Sequence, residues 1–120
     1  MAFTPVPVTV QASAAKTATG QTAGFGAYLV NPQESRNNVI NLAANVTAVS
    51  GTSPSMTLSV QWSVDGTVWL NADPVDTFTA ITAAATVVKQ FTVKAPMARV
   101  VYTITGTTPS FTFSLTATGA

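Results

Sequence analysis

Apolar and polar residues alternate along most of this chain, the period of strands with one buried and one wet face. Val6, Val8 and Val10 alternate with Pro7 and Thr9. The prolines cannot donate to a ladder, which predicts an edge strand or an arm laid over a neighbour. Residues 12–22, small and polar, predict a loop, and residues 25–30 a short strand ended by Asn31-Pro32. A long strand over residues 37–49 follows, with Ile40, Leu42, Ala44, Val46 and Ala48 on one face. Met56, Leu58, Val60, Trp62 and Val64 form the next apolar stripe, ending at Asp65-Gly66, a strong hairpin signal. The return strand is expected at residues 67–70, a loop with Pro74 at 71–76, and further strands at 77–81 and 87–93. Residues 80–88 contain Ala83, Ala84 and Ala85, which favour helix, but Thr82, Thr86, Val87 and Val88 oppose it through restricted side-chain rotation.

One phrase occurs twice. Gly51-Thr52-Ser53-Pro54-Ser55 returns as Gly106-Thr107-Thr108-Pro109-Ser110, each copy followed by apolar residues alternating with Thr or Ser. Read locally, each copy is a turn, and the second joins residues 99–105 to 111–118 as a last hairpin. About eight short strands with turn signals between them predict an all-β protein, an antiparallel β-sandwich or jelly-roll-like barrel. Residues 1–20 are expected as an N-terminal arm or edge strand with a loop, and 21–120 as a single β-sandwich domain.

Composition narrows the functional classes. Of 120 residues only 8% are charged, with 5 Lys plus Arg and 4 Asp plus Glu, where a globular domain has about 25%. A net charge of +1, with its cations scattered, supports neither nucleic acid nor an anionic membrane as partner. The polar faces are supplied largely by 21 threonines, which suit strands and carry no repulsion between neighbouring copies. No stretch reaches the roughly 20 apolar residues of a membrane helix, and the start lacks the pattern of a secretory signal. The expectation is a soluble protein made in the cytoplasm.

The chemical inventory is sparse. The chain has no His and no Cys, which removes the usual neutral-pH base, thiol nucleophiles and zinc-thiolate sites. Asp73 and Asp76 beside Asn71 offer oxygen atoms without a calcium-binding loop pattern, so no metal, cofactor or catalytic residue is expected. Residues 63–69 are similar to the Asp-box of sialidase-type propellers, but Asp65 and Gly66 are adjacent, which breaks that spacing. Asn45-Val46-Thr47 matches a glycosylation acceptor but lies inside a predicted strand. Trp62 continues a buried stripe, whereas Trp69 with Asn71 and Asp73 offers a possible sugar platform.

Residues 47–120 resemble small β-rich structural proteins of tailed bacteriophages. The resemblance rests on Ala48-Val49-Ser50-Gly51-Thr52-Ser53-Pro54, on Val60, Ser63, Asp65, Gly66 and Trp69, on residues 78–84, and on the run from Arg99 to Ser114. Several such proteins decorate capsids. It implies a capsid decoration, or cement, protein on the virion exterior, made in the host cytoplasm, with the major capsid protein and itself, as dimer or trimer, for partners. The expected contacts are the start of the chain, with Phe3, Pro5, Val6, Pro7 and Val8, and one sheet face, with the Asp65-Gly66 tip pointing outward. A carbohydrate-binding tail or head-fibre module, or a tail-tube or connector subunit, is the alternative.

Overall fold

The computed structural model describes residues 7–27 and 39–119, and the elements given within them are strands of one antiparallel sheet. They are β1 (Val8–Lys16), β2 (Gly20–Gln21), β3 (Phe25–Gly26), β4 (Val39–Ser63), β5 (Leu70–Thr77), β6 (Ala85–Thr92) and β7 (Met97–Gly119). The antiparallel all-β class is as expected, but the strands are not uniformly short: β4 has 25 residues and β7 has 23. These two pair along nearly their whole lengths, from Ile40 opposite Gly119 to Ser63 opposite Met97. Their outer neighbours differ at the two ends. Where β4 begins, the order is β6-β4-β7-β1; where it ends, β5 flanks β4, and β2 and β3 flank β7.

A straight strand of 25 residues would measure about 80 Å at roughly 3.3 Å per residue. The described residues extend only 50 Å along their longest axis, so the strands bend. The bend lies at the repeated phrase. Neither copy reverses the chain, so the expected last hairpin is a single bent strand, β7, and the expected turn at Gly51 lies inside β4. The copies are each other's partners: Ser50 lies opposite Ser110, Thr52 opposite Thr107, and Ser55 opposite Thr105. Between these pairs each strand carries one extra residue, which makes two reciprocal bulges. Equivalent positions share unusual backbone angles, with φ of 109° and 124° at Gly51 and Gly106, and 49° and 47° at Ser53 and Thr108. A Cβ on Gly51 would lie 2.7–2.9 Å from backbone atoms of Thr107, Thr108 and Pro109; one on Gly106 would lie 3.0 Å from those of Thr52, Ser53 and Pro54. The corner therefore has a local pseudo-two-fold axis, each copy closing on the other's backbone.

On β7 the extra residue also shifts the side-chain alternation, whereas on β4 a further bulge at Thr47, between the pairs Val46–Phe113 and Ala48–Thr112, cancels the shift. Below the corner β7 buries Ala98, Val100, Tyr102 and Ile104; above it Phe111, Phe113, Leu115 and Ala117. Along β4 the buried sets are Ile40, Leu42, Ala44 and Val46, then Met56, Leu58, Val60 and Trp62. All belong to one apolar cluster, and the Tyr102 and Phe113 rings meet edge to face at 5.6 Å across the bend.

Four other segments depart from expectation, one of them the strand expected at 77–81: β5 ends at Thr77, and beyond it Ile81 makes only an isolated bridge to Met56. Residues 12–16 continue β1 instead of starting a loop: small side chains fit two bulges, and Gln11 Nε2 donates to Phe113 O at 3.3 Å. Residues 71–76 are part of β5, whose register jumps so that Asn71 faces Gln61 while Asp76 faces Val60. Residues 67–69 are not a return strand, which begins at Leu70. The expected strand at 25–30 is described only at Phe25–Gly26, and its remainder from residue 28 lies outside the described residues.

Candidate interaction surface

The segment between β4 and β5 is built by two short side chains. The Ser63 hydroxyl donates to Asp65 Oδ1 at 3.0 Å and accepts from the amides of Asp65 and Gly66 at 3.3 and 2.8 Å. Asp65 Oδ1 in turn accepts from the amides of Thr67 and Val68 at 2.8 and 3.0 Å. Such side-chain turns compete with ladder formation, so β4 ends at Ser63 and no two-residue hairpin forms. Val64, expected on the buried stripe, is consequently 80% exposed.

Val68 and Leu70 join it on the surface, 55% and 64% exposed. They line a shallow groove of about 240 Å³ with Trp62, Asn71, Ala72, Lys94 and Ala95. Beside it, Asp76 Oδ2 accepts from Trp62 Nε1 at 2.8 Å and pairs with Lys94 Nζ at 2.9 Å. The Lys94 ammonium also lies 5.5 Å from the centre of the Trp62 ring. The Asp76 carboxylate is thus engaged by two donors, and the described residues contain no group of three metal-ligating side chains. The result is an apolar surface beside a neutralised ion pair.

The sugar-platform residues are only partly assembled. Trp69 is half-buried, packed at one edge on Gly24 and covered by the Arg99 guanidinium 4.7 Å from the ring centre. Arg99 Nε donates to Gln61 Oε1 at 2.9 Å, and Gln61 Nε2 donates to Asn71 Oδ1 at 3.3 Å, so Trp69 and Asn71 share one polar network. A sugar stacking on that covered ring face would have to displace the guanidinium. Asp73 lies in the bulged part of β5, outside this network, before a cis peptide to Pro74. Of the expected N-terminal contacts, Pro7 is exposed, while Val8 lies opposite Ala117 and packs against the core. Phe3, Pro5 and Val6 lie outside the described residues. The exposed Val64, Val68 and Leu70 were the residues a pattern reading missed; the available signal was Ser63-x-Asp65-Gly66, a side-chain turn that ends the strand.

The loop also makes a pH prediction. The amides of Val68 and then Thr67, with the Ser63 hydroxyl, hold the Asp65 carboxyl below its ordinary range. A depressed folded value means that its stabilising effect is present above the unfolded value, about 4, and is lost as pH falls through the folded one. Amide exchange should show Thr67 and Val68 protected, relative to intrinsic rates, from neutral pH down to about 4, with protection declining in more acidic solution. Protection unchanged as Asp65 protonates would show that other contacts hold the loop.

Comparison with family models, curated proteins and solved structures returned no match for this chain.

Proposed function

We propose that this chain is a bacteriophage structural protein that decorates the outside of the major capsid lattice and stabilises the head, acting by surface contact and not by catalysis. The observation that carries the contact reading is the apolar cluster Val64, Val68 and Leu70, held outward by the Ser63-Asp65 turn. Large apolar side chains grouped on a surface mark interaction sites, and a protein with few charges has little electrostatic reason to stay apart from a partner. The phage assignment is supported by the strand-and-turn resemblance of residues 47–120. On this reading the 64–70 surface faces the capsid, which reverses the outward direction expected for the Asp65-Gly66 tip, and many copies of a modest contact add up across the lattice.

The test uses capsids stripped of the protein. Added wild-type chain should occupy them, and the triple variant Val64→Asp, Val68→Asp, Leu70→Asp should lose at least about tenfold in affinity, equivalent to about 1.4 kcal/mol. Full occupancy by a folded triple variant would remove this surface from the contact. Density for the chain only in the tail of intact virions would overturn the capsid reading. The N-terminal contribution is tested separately by deleting residues 2–6, which leaves β1 intact.

A further inference from the structure

Sheet edges left open invite other strands, and natural proteins guard them with bulges, prolines, charges or brevity. Among the described residues this protein guards every edge but one. β1 follows Pro7 and contains two register shifts; β5 contains one, along with Pro74; β2 and β3 are two residues each. β6 has none of these devices. Its eight residues pair without a shift against Val39–Val46, and no other described strand pairs with it. Its single charge does not stand guard either, because the Lys89 ammonium donates to Thr77 O at 2.6 Å and lies 5.8 Å from the Phe91 ring centre. On the wet face, Thr86 and Gln90 bond to Asn45 and Asn41, and Val88 stands between them, 65% exposed.

We propose that β6 is the pairing edge for a second copy of this chain, the two β6 strands running antiparallel across a two-fold axis. Closed two-fold pairing requires a self-complementary strand, and the register can be derived. Keeping the buried faces of both copies on one side allows only residues of like parity to stand opposite each other. Two such registers overlap over seven residues, one centred on Val88 (85–91) and one on Lys89 (86–92). The second sets Lys89 against Lys89 of the other copy, a destabilising like-charge pair. The first sets Val88 against Val88, Thr86 against Gln90 and Val87 against Lys89. In strand addition of this kind main-chain hydrogen bonds supply the affinity, so a small contact area suffices. This pairing is independent of the capsid reading and involves a different part of the surface.

The test is sedimentation equilibrium of the full chain from about 1 μM to about 1 mM. The wild type should reach twice its 12.3 kDa mass. Val88→Lys and Val88→Glu should each dissociate at least tenfold more readily while melting normally, since the site is exposed. An equimolar mixture of the two should recover the dimer, because the substituted residues face each other across the axis. A monomeric wild type, a dimer indifferent to both substitutions, or a mixture that fails to recover would each overturn the proposal. Capsid occupancy by Val88→Lys keeps the two readings separate: loss of dimer with retained occupancy, or the reverse, shows which one fails.

Discussion

Gly51→Ala is expected to lower stability by about 3 kcal/mol or more, and Gly106→Ala by a similar amount. Each site combines a positive φ, which strains a side-chain-bearing residue by about 1–3 kcal/mol, with a Cβ placed 2.7–3.0 Å from backbone atoms of the opposite strand. Backbone, unlike the end of a flexible side chain, cannot move aside without opening the ladder. Thermal melts should show a fall of at least about 10 °C. Gly66→Ala separates the two causes: it has a φ of 80° but open space around the would-be Cβ, so only the conformational part, about 1 kcal/mol, should be lost. Because both glycines close the same corner, so that opening it for one relieves the other, the double variant should cost less than the sum of the singles. A loss at Gly51 no larger than at Gly66 would show that the two copies do not close on each other.

Phe113→Ala is expected to cost about 3–5 kcal/mol, the range for truncating a fully buried aromatic ring. Phe113 lies between Val46 on β4 and Ala14 on β1, and its ring meets Tyr102 from beyond the bend. Its removal thus loosens three strands at once and leaves the two ends of β7 without their aromatic contact. A double-mutant cycle with Tyr102→Ala should return a coupling of about 1 kcal/mol. A cost below about 1 kcal/mol for Phe113→Ala would mean that neighbouring side chains collapse into the space.

The stripes Ile40 to Val46, Met56 to Trp62 and Phe111 to Ala117 were legible because strand alternation is local and needs no knowledge of the partner. The corner was not. Gly51 and Pro54, like Gly106 and Pro109, give the same local signal whether the chain reverses or only bends, and the choice depends on each copy finding the other 55 positions along, from 51 to 106. Val64 shows a second limit: by composition it belongs to the stripe before it, and only the Ser63 and Asp65 hydrogen bonds turn it outward. Trp69 shows a third, since the cation covering its ring, Arg99, lies far along the chain on β7. Exposed and buried valines are identical as letters, so the apolar surface emerged only with the geometry.

Among the described residues β7 is the only strand partner of β1, β2 and β3 and the longest partner of β4. During synthesis, then, the sheet cannot close until residues 97–119 have left the ribosome. β4 can pair with β5 and β6 beforehand, but its other side stays open, and β1 waits unpaired for a strand about a hundred residues downstream. A nascent chain cut before residue 97 retains the apolar stripes and lacks the strand that covers them, a species prone to aggregation. Premature termination late in this gene should accordingly yield insoluble fragments and not partially folded subunits.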